Sequence, residues 1–312
     1  MDHTLRARRA VAAAVLAAGC ATGCAAGPSG EDGRVDVVAA FYPLQFVAER
    51  VGGDAVDVTA LAKPGAEPHD LELSPSQVGQ VSKADLVIYL KGFQPAVDEA
   101  VEQEGGDRTL DVGSVTPLLD VSAGSHRHEG GETDHEDGAG GKDPHIWLDP
   151  TRLATVADRT AERLADVDPD HAADYAARAA ALRDELEALD REYQQGLSTC
   201  QRREIVVSHA AFGYLADRYR LEQIAVSGLT PDDEPPPQRL AKVIEEARTH
   251  GATTVFFETL VSPKVAETLA REVGAQTAVL DPIEGLRPGS GDDYFSVMRA
   301  NLATLRPALG CS

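Results

Sequence analysis

Four side chains, far apart in the chain, could together hold a metal ion: His69, His145, His209 and Asp281. Successive members are separated by 76, 64 and 72 residues. That spacing is unlike the close pairs of a zinc finger or of a helix carrying HExxH, so the chain must be folded back on itself to bring them together. Three imidazoles and a carboxylate form a borderline-soft set that suits tetrahedral Zn²⁺, whereas calcium and magnesium favour all-oxygen shells. A lone histidine is more often a satisfied core or loop residue than a ligand. The set gains weight from the setting of each member.

His69 lies in Pro64-Gly65-Ala66-Glu67-Pro68-His69-Asp70, a loop following the alternating strand pattern Val56 to Leu61. His209 ends the apolar run Glu204–Ser208, and Asp281 ends Gln276–Leu280. These are the carboxyl ends of strands, where open α/β sheets bind ligands. His145 opens the apolar stretch His145-Ile146-Trp147-Leu148, directly after a segment of opposite character. Between Ser122 and Lys142 there are six glycines, five carboxylates, His126, His128 and His135, and no bulky apolar residue. Such a composition cannot bury a core and predicts a segment mobile in water. Its histidines and acids could collect metal weakly, and the bland alternative is a solubilising linker.

The elements that would position these groups alternate strand and helix. Strands are predicted at Val35–Phe41, Val56–Leu61, Leu86–Leu90 and Thr109–Val112, then again at Glu204–Ser208, Leu221–Val226, Thr253–Phe257 and Gln276–Leu280. Leu86 to Leu90 is almost wholly apolar, as a strand inside a parallel sheet must be. The pattern predicts two α/β lobes, each a mainly parallel sheet with flanking helices, over residues 35–150 and 200–312. Between them, residues 151–199 read as helical. Leu182, Leu186, Leu189 and Tyr193 form one apolar stripe on a helix from His171 to Leu197 that joins the lobes. A final helix is expected from Tyr294 to Leu305, ending before Pro307.

The chain carries 312 residues and a formal net charge of −22. So acidic a balance excludes binding along a nucleic-acid backbone, and it suits an exported, soluble protein. Arg6, Arg8 and Arg9 precede the short apolar run Ala10–Ala18, which is too short to span a bilayer. The run ends at Leu16-Ala17-Ala18-Gly19-Cys20, similar to a bacterial lipoprotein cleavage box. Cleavage would remove residues 1–19 and lipidate Cys20, with Cys24 as the alternative, and leave 20–34 as a polar tether. In an oxidising compartment the two remaining cysteines, Cys200 and Cys311, are expected to form a disulfide.

The motifs around the four groups carry a resemblance. Pro64 to Asp70 with Ser74-Pro75, Ala84-Asp85-Leu86-Val87, Asp143-Pro144-His145-Ile146-Trp147-Leu148-Asp149-Pro150, Ser208-His209-Ala210-Ala211-Phe212-Gly213-Tyr214, Glu258-Thr259-Leu260-Val261-Ser262-Pro263-Lys264 and Leu280-Asp281-Pro282-Ile283-Glu284-Gly285-Leu286 resemble the metal-binding lipoproteins of bacterial zinc and manganese ABC importers, solute-binding protein family 9. The resemblance runs from about Val35 to Leu305. It implies a cluster A-I fold, two lobes joined by one long rigid helix, with metal between them. It implies His69, His145 and His209 as ligands, and Asp281 in the carboxylate position, with Glu67 or water as alternatives for the fourth place. A third histidine at 209, where manganese-type members have Glu, and a His-rich loop before His145 imply Zn²⁺ rather than Mn²⁺. The implied protein is a monomeric receptor, not an enzyme, held at the outer face of the cell membrane by its lipid and serving an ABC permease with its ATPase subunit. Outer carboxylates to orient the imidazoles are sought at Asp70, Asp143 and Glu258, and Trp147 is expected to pack behind His145. The competing class is a zinc hydrolase with an activated water, but no HExxH or GxSxG is present. A purely structural metal is a further alternative.

Overall fold

The structure is a computed structural model and describes residues 33–120, 141–231 and 235–312. Cys20, Cys24 and the loop histidines His126, His128 and His135 lie outside the described residues.

The first lobe runs β1 (Val35–Ala39), α1 (Tyr42–Gly52), β2 (Val56–Ala60), α2 (Pro75–Lys83), β3 (Leu86–Tyr89), α3 (Pro95–Glu104), β4 (Thr109–Asp111) and the single turn α4 (Val112–Val115). Two helices follow, α5 (Pro150–Val167) and α6 (Ala172–Gly196). The second lobe comprises β5 (Glu204–Val207), α7 (Gly213–Tyr219), β6 (Glu222–Ala225), α8 (Pro237–Thr249), β7 (Thr254–Phe257), α9 (Lys264–Val273), β8 (Gln276–Val279) and α10 (Tyr294–Leu309).

Each lobe holds a parallel sheet of the same topology, β2-β1-β3-β4 and β6-β5-β7-β8. The chain reverses its direction of travel across each sheet between β1 and β3, and again between β5 and β7. At such a switch point the loops leaving two adjacent strands part and open a crevice at the carboxyl edge. β3 is buried along its whole length, as its unbroken apolar sequence requires. In β5 the faces alternate: Ile205 and Val207 join the main core, while Val206 joins a smaller core with Val243, Val255 and Leu269 under α8 and α9.

Helix α6 packs on α5, on α1 of the first lobe and on α10 of the second. At 25 residues it is about 37 Å long, enough to bridge both lobes. Its buried face is Tyr175, Ala179, Leu182, Leu186, Leu189 and Tyr193, the stripe that the apolar spacing predicted. Asp190 is also buried there, and it is held by Nε and Nη2 of Arg218 at 2.9 and 2.8 Å and by the Tyr219 hydroxyl at 3.1 Å. The connecting region is therefore a helix pair, of which α6 touches both lobes.

The last helix differs from expectation. It passes through Pro307 and ends only at Leu309, with Gly310 in the left-handed conformation at φ 66°. Proline removes one N–H near a helix end where the following carbonyls must find outside partners anyway. Here Arg202 donates to the Ala308 carbonyl, and the backbone N–H groups of Gln201 and Arg202 donate to that of Leu309. The same contacts bring Cys311 beside Cys200, with Cα atoms 3.8 Å apart and the sulfurs at bonding distance.

Leu186 has no exposed surface at the centre of the α6 stripe. Leu186→Ala is expected to cost about 2–5 kcal/mol in urea unfolding, while Asp184→Ala on the exposed face changes stability by less than about 0.5 kcal/mol.

Candidate metal centre

Three of the candidate groups are delivered by loops that follow strands and His145 by the segment before α5, and each is fixed by its own hydrogen bonds. His69 lies between β2 and α2. Its backbone N–H donates to Glu67 Oε1 at 2.9 Å, and its ring meets Phe93 edge-on with centroids 4.5 Å apart. His145 follows an Asp-Pro dipeptide. One oxygen of Asp143, Oδ1, accepts both the His145 backbone N–H at 2.9 Å and its Nδ1–H at 2.8 Å. His209 lies two residues beyond β5, and its Nδ1 is 2.6 Å from Glu258 Oε1 at the end of the neighbouring strand β7. Ser208 Oγ donates to the same Glu258 oxygen. A carboxylate on each Nδ1 fixes the tautomer and leaves Nε2 as the ligating atom of His145 and His209.

The carboxylate of the site is Glu284, not Asp281. Glu284 Oε1 is 3.2 Å from His69 Nε2, 3.0 Å from His145 Nε2 and 3.2 Å from His209 Nε2. One ligand atom from each of these four residues lies within 4.8 Å of all the others. The four side chains are 7, 0, 0 and 1% exposed. His209 Nε2 is buried and makes no hydrogen bond, since its approach to Glu284 lacks the geometry of one. A buried ring nitrogen without a hydrogen-bond partner, aimed at a shared centre, fits a cation once any proton on it has left.

Asp281 shapes the loop that presents Glu284. Its Oδ1 accepts the Ile283 N–H at 2.8 Å and its Oδ2 accepts the Thr259 hydroxyl at 2.6 Å. Asn301 of α10 holds the Asp281 backbone from both sides, at 2.9 and 2.7 Å. Between them Ile283 is forced to φ 58°, a left-handed conformation that strains a β-branched residue by about 1–3 kcal/mol. An aspartate followed by proline at a strand end is a turn former whose side chain serves its own backbone. That signal, together with a second carboxylate three residues on, marks Glu284 in the sequence. The alternative ligand Glu67 is likewise occupied locally through Oε1 and stands outside the group of four, with its other oxygen buried and unpartnered. Asp70 is exposed, whereas Asp143 and Glu258 take the outer positions sought for them.

Trp147 packs beside His145 with centroids 5.3 Å apart. It also reaches across the cleft: its indole N–H donates to the Pro282 carbonyl at 2.6 Å, and the Tyr294 hydroxyl of α10 donates to the Trp147 carbonyl at 2.7 Å. The His145 segment is thereby tied to the Glu284 loop.

Electrostatics follow from burial set against carboxylates. Burial alone would lower His209, but Glu258 and Glu284 outweigh it and push it up to about 10. His145 is raised in the same way, because Asp143 and Glu284 overcome its burial. For His69 burial outweighs Glu284 and lowers it. Burial would raise Glu284, yet hydrogen bonds from His145 and His69 and the nearby His209 ring hold it well below the usual carboxylate range. Glu67 is pushed up to about 8 by burial and by the Glu284 charge.

The model of a family described as zinc-uptake complex component A, periplasmic, matches residues 37–308. The chain belongs to that family. Among its relatives, the zinc-binding protein AdcA of Streptococcus pyogenes serotype M1 is 37% identical over 288 residues, covering 88% of this chain and 56% of AdcA. The chain thus spans about half the length of the AdcA relatives. The high-affinity zinc uptake system protein ZnuA of Bacillus subtilis (strain 168) is 31% identical, covering 88% of each chain. Among solved structures, the Zn(II)-bound ZnuA-like domain of Streptococcus pneumoniae AdcA superposes with a TM-score of 0.72 at 32% identity, covering 88% of this chain and 99% of that one. The laminin-binding protein Lbp of Streptococcus pyogenes gives 0.75 at 29% identity, with the same coverage. The two-lobed fold is the one these family structures share.

A ligating imidazole must be neutral, yet His209 is protonated at pH 8. Metal uptake at pH 8 is therefore expected to release about one proton or more per ion, read by calorimetry in buffers of different ionisation enthalpy. The sign for folding is the reverse. The His209 proton stabilises the metal-free fold fully below its ordinary value of 6.5, and that gain is lost as pH climbs towards 10. Metal uptake without proton release contradicts this charge assignment.

Proposed function

We propose that the chain is an extracytoplasmic zinc receptor, which carries Zn²⁺ as cargo between its lobes and delivers it to a membrane ABC permease coupled to an ATPase subunit. The observation that carries this reading is the convergence of His69, His145, His209 and Glu284 in a buried group, with His209 Nε2 lacking any hydrogen-bond partner. Three neutral imidazoles and one carboxylate leave a zinc site with a net charge of about +1, a modest charge to bury. A hydrolase would instead need an open coordination position facing a substrate pocket, which four donors buried this deeply do not offer. The relatives named for zinc point the same way.

Zinc is favoured over manganese because manganese draws on carboxylate and water oxygens, and position 209 supplies nitrogen. The finer reading of the chain's surroundings rests on sequence. Cys20, or else Cys24, would carry the lipid anchor. A relative in Streptococcus pneumoniae is named a zinc-binding lipoprotein. Among the described residues no helix is long and apolar enough to cross a membrane. A Cys200–Cys311 bridge suits an oxidising compartment. The receptor would act as a monomer, and His126, His128 and His135 would raise the local zinc concentration without forming the carried site.

Zinc titration against a competing chelator tests the assignment. His145→Ala and Glu284→Ala are expected to weaken binding by more than about 100-fold, whereas Asp281→Ala, which only loosens the Glu284 loop, costs about 10-fold. Deleting residues 124–140 leaves the tight site and removes only weak binding. His209→Glu shifts preference from zinc towards manganese. Tight binding that survives Glu284→Ala but not Asp281→Ala overturns the ligand assignment, and hydrolytic turnover that disappears with His145 overturns the receptor.

A further inference from the structure

His145 is supplied by the first lobe, but the groups that hold its carboxylate partner in place come from the second. Asp143 is 4% exposed. Its carbonyl accepts the hydroxyl of Tyr214, in α7, at 2.8 Å. The same hydroxyl oxygen accepts the Leu119 backbone N–H at 2.9 Å, and the Asp143 N–H donates to the Leu119 carbonyl at 2.9 Å. One phenol therefore bridges the two chain segments that meet at Leu119 and Asp143. Tyr214 is fully buried, and the Arg152 guanidinium lies over its ring at 4.8 Å from the centroid. Its neighbour Gly213 touches the other end of Asp143: a Cβ at that position would overlap Asp143 Oδ2. The carboxylate can take up its place against His145 only because residue 213 has no side chain.

Asp143 is thus held at its backbone by Tyr214 and bounded at its carboxylate by Gly213, while its remaining oxygen, Oδ1, holds both the backbone and the ring of His145. Gly213 and Tyr214 follow His209 by four and five residues, so the two ligand segments share one support. Resting on the metal reading above, we propose that Tyr214, together with the missing side chain at Gly213, is a positioning element of the metal site. It sets the Asp143 carboxylate, and through it the orientation of His145, from the lobe that carries His209. Neither residue touches the ion. A lost outer partner loosens the imidazole it supports, and such losses cost about 10- to 100-fold in metal affinity.

Cobalt(II) in place of zinc tests this, because its ligand-field bands report the geometry of the nitrogen ligands and their decay into excess chelator gives the dissociation rate. Tyr214→Phe removes only the hydroxyl. It is expected to release cobalt about 10-fold faster and to shift the bands in the same sense as Asp143→Asn. The double variant Tyr214→Phe with Asp143→Asn should be little worse than Asp143→Asn alone, because both act through one imidazole, whereas Tyr214→Phe with Glu258→Gln should be additive. Gly213→Ala should reproduce the band shift. Tyr175→Phe removes another buried hydroxyl, one bonded to Asp168 at 2.8 Å rather than to any segment that carries the site, and should leave bands and rate unchanged. Wild-type bands and rate in Tyr214→Phe overturn the proposal, and so does full additivity with Asp143→Asn. A wild-type chain that takes up no cobalt sinks the metal reading itself, and this inference with it.

Discussion

One carboxylate oxygen facing three imidazole nitrogens inside a closed cleft is the constraint on which the rest of the site depends. Glu284 Oε1 stands 3.0–3.2 Å from all three Nε2 atoms. Two further carboxylates, Asp143 and Glu258, sit behind the rings of His145 and His209. So much buried negative charge must be balanced by cations of some kind. Asp143, Glu258 and Glu284 accordingly raise His145 and His209 against their burial, while burial lowers His69 despite Glu284. A bound cation would supply the same balance in place of protons.

The fold holds these groups together. Two sheets of the same strand order bring His69, His209 and Glu284 together on loops leaving their strands, and His145 arrives on the segment that leads into α5. The lobes are joined by more than α6. Trp147 donates to Pro282, Tyr294 donates to Trp147, and Tyr214 bridges Leu119 and Asp143. All are bonds between neutral groups, so they do not depend on the protonation of the histidines. The strain at Ile283 is the local cost of aiming Glu284, and it is sustained by Asp281, Thr259 and Asn301.

Much of this was legible in the residues. Strand positions followed from β-rich apolar runs, and α6 from a stripe repeating at four, three and four residues, because both periodicities are local. The histidines stood out because His69 and His209 follow strands in proline- or glycine-marked loops and His145 opens an apolar stretch after an Asp-Pro pair. The carboxylate that meets the histidines lies three residues beyond the expected one. Sequence position put a carboxylate at the end of β8, but it could not show that Asp281 would bond to Ile283 and Thr259 and leave Glu284 facing the imidazoles. The long run of the last helix through Pro307 was hidden for a similar reason. Its end carbonyls are satisfied by Gln201 and Arg202, about a hundred residues away. The bond from Trp147 to Pro282 and the Tyr214 bridge are also long-range, and no spacing rule announces them. What a sequence hides here is which of two nearby groups the tertiary structure uses.

X-ray absorption at the zinc edge on the loaded chain reads the donors of the ion. A four-coordinate ion with three imidazole nitrogens and one carboxylate oxygen at about 2.0–2.2 Å is expected, with the oxygen shell lost in Glu284→Ala and retained in Asp281→Ala. An oxygen-rich six-coordinate shell, or a spectrum unchanged by Glu284→Ala, would contradict it.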